Sequence, residues 1–168
     1  NQSMTIPLEL GLVSTKDGPR LTWAPARELA ALRGNSIQLK TGEVGPDSAN
    51  PLKAFNAELQ EIRAEFTPKP QTEVVFTVRG ATIAYDAAKA EFVVNGHRAP
   101  APLINGKQRL VIYCDRAGLE VFASDGLAYV PMPFIPKGAD VAASLKIKGA
   151  PCEFTSLEAH ALKSAWKQ

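Results

Sequence analysis

Gln108 to Pro136 reads QRLVIYCDRAGLEVFASDGLAYVPMPFIP, and this stretch decides the fold class. Leu110 to Cys114 is a β-branched and aromatic run, Ala117-Gly118 is a turn, and Leu119 to Phe122 resumes an apolar strand. Asp125-Gly126 turns the chain again before Leu127 to Val130. This is a meander of antiparallel strands, and it sets Asp115, Arg116 and Glu120 among apolar neighbours.

The same punctuation recurs outward in both directions. Turn signals stand at Asp17-Gly18, Gly34-Asn35, Gly80, Asp86, Asn95-Gly96, Asn105-Gly106, Gly138 and Gly149. Between them lie short runs at Leu8 to Ser14, Leu21 to Trp23, Ile37 to Leu39, Glu73 to Val78, Thr82 to Tyr85, Glu91 to Val94, Val141 to Ile147 and Glu153 to Leu162. Short strands at such spacing predict an all-β chain: a two-sheet antiparallel β-sandwich of jelly-roll or concanavalin-like type, as one domain over residues 1–168. One short helix is expected at Glu28 to Leu32, with Pro25 before it and Gly34 as its C-cap. Phe55, Leu59, Ile62 and Phe66 recur at helical spacing, yet Ile62, Ala64 and Phe66 alternate with Glu61, Arg63 and Glu65 as a strand would. The strand is preferred, its apolar residues inward and Glu61, Arg63 and Glu65 in water. Gly42 to Pro51 is expected to be a mobile linker or edge loop, and Thr67 to Gln71 a shorter break.

With 168 residues and 45% hydrophobic content, the chain can bury one sizeable core. A net charge of +2 without charge blocks argues against nucleic acid or an anionic membrane as partner, and no apolar run is long enough to span a bilayer as a helix. Cys114 and Cys152 fit no zinc spacing and are expected as buried free thiols, a disulfide being the alternative. His97, on a turn, and His160, on a closing strand, are isolated, so surface positions are expected and neither metal nor cofactor is called for.

Three segments together resemble the C-terminal β-sandwich of glycoside hydrolase family 32, the levanases, inulinases and invertases. They are the Asp-Arg-x-x-x-Glu-Val-Phe meander at Asp115 to Phe122, Phe154 to Trp166 (FTSLEAHALKSAW), which is similar to the closing strand of levanase-like members, and Met4 to Arg33 (MTIPLELGLVSTKDGPRLTWAPARELAALR), which is similar to the segment with which the family leaves its catalytic propeller. The resemblance implies a propeller catalytic domain upstream in the same polypeptide, with a secretory leader before it and a secreted or periplasmic location. It also implies that catalysis belongs to Asn-Asp-Pro, Arg-Asp-Pro and Glu-Cys motifs in that propeller. No Asp here precedes Pro, and Cys114 and Cys152 follow Tyr113 and Pro151, so no catalytic residue is assigned.

Three readings of Asp115, Arg116 and Glu120 remain. In the first, Asp115 accepts turn N–H groups while Arg116 and Glu120 form a salt bridge between strands. In the second, the trio binds fructose or fructan through paired hydrogen bonds, as an autonomous carbohydrate-binding module would. In the third, the turn sets Asp115 opposite Glu120, close enough for the two-carboxylate chemistry of a small glycosidase. Trp23, Tyr85, Tyr113, Tyr129 and Trp166 are candidate stacking platforms, with core positions favoured for Trp23 and Tyr113. The Pro131 to Pro136 run cannot be a central strand, because each proline lacks a ladder donor. Pro131, Met132, Phe134 and Trp166 are candidate contacts with the propeller or with a second copy in a homodimer, packing on the sandwich's own surface being the alternative.

Overall fold

A computed structural model describes residues 4–39 and 41–165. The chain opens with a hairpin of β1 (Leu8–Thr15) and β2 (Gly18–Pro25), then a 3₁₀ turn over Arg27–Leu32. There follow β3 (Arg33–Gln38), β4 (Gly42–Val44), β5 (Gln60–Thr67), β6 (Thr72–Val78), β7 (Ala81–Asp86), β8 (Glu91–Val94) and β9 (His97–Pro100). The meander supplies β10 (Gln108–Cys114), β11 (Gly118–Ala123), a 3₁₀ turn over Ser124–Gly126, and β12 (Ala128–Pro133), before β13 (Ala143–Gly149) and β14 (Cys152–Leu162).

Two antiparallel sheets form the expected sandwich. One runs β12-β11-β10-β5-β14-β3, with β4 also on β14; the other runs β13-β6-β7-β8-β9. Alternation explains which side chains enter: in β6 Val74, Phe76 and Val78 are fully buried, as are Ile62 and Phe66 in β5 and Leu110 and Ile112 in β10. An aromatic chain ties the sheets together. Phe66 of β5 lies 5.3 Å from Phe154 of β14 and 5.9 Å from Tyr85 of β7, which in turn lies 5.0 Å from Phe92 of β8.

Polar clasps hold the edges of the two layers in register. Arg79, only 3% exposed and at φ 50°, donates from Nε to the Asp140 carbonyl at 2.9 Å and from Nη1 to the Asp115 carbonyl at 2.8 Å. The β6–β7 turn of one sheet is thereby fastened to the β10–β11 turn of the other. Asn50 does similar work, its Oδ1 accepting from the Leu52 and Leu145 amides at 3.0 and 2.9 Å while Nδ2 donates to the Ala143 carbonyl.

Several expectations need correction. Gly42 to Pro51 is not a free linker, because β4 pairs with β14 and Asn50 is bonded across to β13. The Glu28 to Leu32 helix is a 3₁₀ turn, and it ends on extended Arg33 instead of a glycine cap. Arg33 is drawn into β3, and the segment before it closes as a short 3₁₀ turn. His97 lies in β9 and not on a turn. The strand reading of β5 holds, but Glu61 is fully buried and does not face water.

Candidate functional site

The β10–β11 turn is closed by Asp115. Its Oδ1 accepts from the Ala117 and Gly118 amides at 2.7 and 2.6 Å, and its own amide donates to the Gly118 carbonyl. The loop closes on Gly118, so Cys114 faces Leu119 and Tyr113 faces Glu120. Asp115 and Glu120 are therefore offset along the ladder and not opposite, which corrects the geometry expected for a carboxylate pair. Nor does Arg116 meet Glu120. Its guanidinium forks onto Glu58, Nε to Oε1 at 2.8 Å and Nη2 to Oε2 at 2.9 Å, in a pair half open to water.

Glu120 has other partners. It is 6% exposed, accepts the Ile6 amide at 2.7 Å on one oxygen and receives the Tyr129 hydroxyl on the other. Burial pushes its carboxyl above the ordinary range, against the pull of those two donors. Burial and the adjacent carboxylate likewise push the Tyr129 phenol up, so the proton stays on oxygen and the bond has a fixed donor. The Tyr129 ring is stacked 4.7 Å from Phe122 and 5.5 Å from Trp23, which brings the root of the β1–β2 hairpin onto the sandwich edge.

Strand register sets these groups in one row on the outer face of the larger sheet. Ser36, His160, Glu61, Tyr113, Glu120 and Pro131 are successive cross-strand neighbours from β3 to β12. Glu61 is the centre of charge. Arg33 forks onto it with two contacts of 2.6 Å, and Arg63 adds one of 2.9 Å. Burial pushes the Glu61 carboxyl up, but Arg33, Arg63 and Tyr113 outweigh it and hold the group below the usual carboxylate range. His160 is buried, not superficial as expected, because Ser36 Oγ lies 2.7 Å from Nδ1 and Glu158 lies 3.2 Å from Nε2.

Beside this row is a cavity of about 390 Å³. Asp115, Arg116 and Glu120 all reach its wall, so the structure does bring the predicted trio together. The rest of the lining is mostly apolar and includes Ile6, Pro7, Leu29, Leu32, Leu59 and Leu162. Each member of the trio is already bonded within the chain. Among the described residues no group of three His, Cys, Asp or Glu could hold a metal, and no helix is long and apolar enough to cross a membrane.

The remaining candidates divide. Pro131 is exposed on the edge strand β12, opposite Glu120, whereas Met132 and Phe134 lean on the core. Trp166 lies outside the described residues. Tyr113 and Tyr85 are buried, while Trp23 is only half-buried. Cys114 and Cys152 are buried free thiols, pushed by burial to about 11 and about 12.

The sequence model "Glycosyl hydrolases family 32 C terminal" matches residues 28–161. The chain belongs to this family. A levanase of Bacillus subtilis (strain 168) is 29% identical over 96% of the chain, which spans 27% of that protein. A fructan beta-fructosidase of Streptococcus mutans is 23% identical over 99% of the chain, which spans 13% of it. The family 32 fold is also seen in exo-inulinase from Aspergillus awamori, with a TM-score of 0.77 at 18% identity over 96% of this chain and 36% of that one. The β-fructofuranosidase from Schwanniomyces occidentalis gives 0.71 at 12% identity over 95% and 40%. The chain spans about a quarter or less of the length of the levanase and fructosidase relatives.

Sequence reasoning missed Glu61 and the Ile6 amide as parts of this site, and it offered Tyr129 as a stacking platform and not as the donor to Glu120. Strict alternation assigned Glu61 to water, and no local signal announces that Arg33, nearly thirty positions upstream, will cover it. The partners of Glu120 are equally non-local.

Proposed function

We propose that this chain is the non-catalytic accessory sandwich of a fructan-hydrolysing glycosidase, linked in one polypeptide to a catalytic propeller that it buttresses. The observation that carries this reading is the engagement of Glu120. A carboxylate poised for sugar would keep its acceptor sites open, yet each Glu120 oxygen already accepts a bond, from Ile6 and from Tyr129, and these clamp the incoming N-terminal segment to the sandwich edge. Asp115 and Arg116 are likewise committed, to the turn and to Glu58. Because a polymeric fructan is degraded where it is met, the reading carries with it a secreted or periplasmic location.

Fructan binding is the second reading, supported by the convergence of Asp115, Arg116 and Glu120 on one cavity. Calorimetric titration of the chain with levan, inulin and fructose, alongside a reducing-sugar assay, separates the two. The accessory role predicts no heat and no sugar release. Saturable binding lost in Arg116→Ala with the fold intact would replace it by the binding module, and released sugar would replace it by an enzyme.

A further inference from the structure

Two tight turns carry the same dipeptide, Asn95-Gly96 between β8 and β9 and Asn105-Gly106 on the approach to β10. Their backbones match, with the asparagines at φ 45° and 52° and the glycines at φ 87° and 77°. This is the left-handed pair that a two-residue turn needs and that Asn-Gly supplies with little strain. A glycine after the asparagine also leaves its backbone nitrogen free of any Cβ, so that nitrogen can close on the asparagine Cγ. Both turns offer the same reacting atoms, and the surrounding structure decides between them.

Asn95 is held at two points by Thr82. Its amide donates to the Thr82 carbonyl and its Oδ1 accepts the Thr82 amide, each at 2.9 Å, while Nδ2 lies 3.8 Å from Met132 Sδ. The turn also belongs to a continuous ladder in which β8 lies between β7 and β9. Asn105 has none of this support. It is exposed, and among the described residues none bonds its side chain. Its turn is closed by two bonds between Ile104 and Lys107, at 2.9 and 3.1 Å, which form an isolated bridge outside the strands.

We propose that Asn105 is a site of spontaneous deamidation and that Asn95, in the same dipeptide, is protected from it by Thr82. The Gly106 nitrogen gives its proton to water and bonds to Asn105 Cγ. The Cγ–Nδ2 bond breaks, and Nδ2 takes a proton from water and leaves as ammonia, so that a cyclic imide remains. Water then opens the ring at either carbonyl, giving aspartate or isoaspartate with no oxidant or cofactor. Aspartate keeps the turn and adds a negative charge. Isoaspartate routes the backbone through Cβ and lengthens it by one atom, which the Ile104 to Lys107 bonds cannot span. Lys107 is then drawn from Glu65, whose Oε1 lies 2.6 Å from its Nζ.

Incubation of the chain at mildly alkaline pH, with peptide mapping by mass spectrometry, tests the proposal. In denaturant the two dipeptides should convert at similar rates. In the folded chain Asn105 should convert about tenfold faster, because freeing Asn95 first breaks two hydrogen bonds that Asn105 does not make. Asn105→Gly, which keeps the positive φ, should reduce ammonia release from the folded chain to the slow rate of Asn95. In the isoaspartyl fraction Glu65 should titrate above its value of about 2, having lost Lys107. Equal conversion of Asn95 and Asn105 in the folded chain would overturn the proposal. So would an Asn105 that converts in denaturant but not in the folded chain, or ammonia release undiminished in Asn105→Gly.

Discussion

Replacing Glu61 by glutamine removes one negative charge and leaves the shape of the side chain. In the folded protein that charge is fully buried and takes three short contacts, two from Arg33 and one from Arg63. Hydrogen bonds to charged groups are worth about 1.5–3 kcal/mol each. The glutamine keeps one acceptor oxygen but turns an NH₂ toward guanidinium donors. Arg33 and Arg63 have 28% and 40% of their side chains exposed, so water recovers part of the loss. A destabilisation of about 3 kcal/mol is expected, at the low end of what breaking a buried pair costs. At about 2–4 °C per kcal/mol for a chain of this size, the thermal midpoint should fall by about 6–12 °C. Acid unfolding supplies a second check. Because the Glu61 carboxyl is held below its ordinary value, its contribution is present above the usual carboxylate range and is lost as pH falls through the folded value. Glu61→Gln should therefore flatten the acid limb of the stability curve. Glu58→Gln, at the half-exposed pair with Arg116, should leave Tm unmoved. If calorimetry shows Glu61→Gln and Glu58→Gln with equal midpoints, burial does not decide the strength of this cluster and the reasoning fails.

Gly126 sits at φ +88°, and a Cβ there would come 2.6 Å from the Trp23 carbonyl and 3.0 Å from its amide nitrogen. Gly126→Ala should lift the hairpin root off Tyr129, red-shifting Trp23 fluorescence in a Trp166→Phe background, with about 1–2 kcal/mol of added backbone strain. Neither Cys114 nor Cys152 should react with a disulfide reagent at neutral pH while the chain is folded, since burial holds both thiols protonated; both should react in denaturant. Lys107, Thr155 and Arg109 hold Glu65 at about 2, so its NMR titration should centre there, and the stability it adds should disappear as pH falls from the ordinary carboxylate range toward that value.

The fold class was legible because it is written locally. Period-two alternation in β5 and β6, the glycine-bearing turns and the Asp115 to Phe122 meander each act over a few residues, and each points to short antiparallel strands. The buried thiols were legible for the same reason, since each lies in an apolar strand. The site was only half legible. Asp115 as the acceptor of its own turn follows from sequence spacing, but the expected bridge between Arg116 and Glu120 dissolves once Glu58 and Tyr129 come within reach.

By itself, then, the sequence determined where the chain alternates, where it turns and which side chains enter the core, because these depend on backbone geometry and hydrophobicity within a strand's length. Only the tertiary structure decided that Glu61 is buried on an outer face, that Glu120 holds the Ile6 amide, and that the β1–β2 hairpin projects an uncovered apolar face. Those outcomes depend on groups brought together from distant parts of the chain, and what covers a strand's outer face is set by the fold, not by the strand.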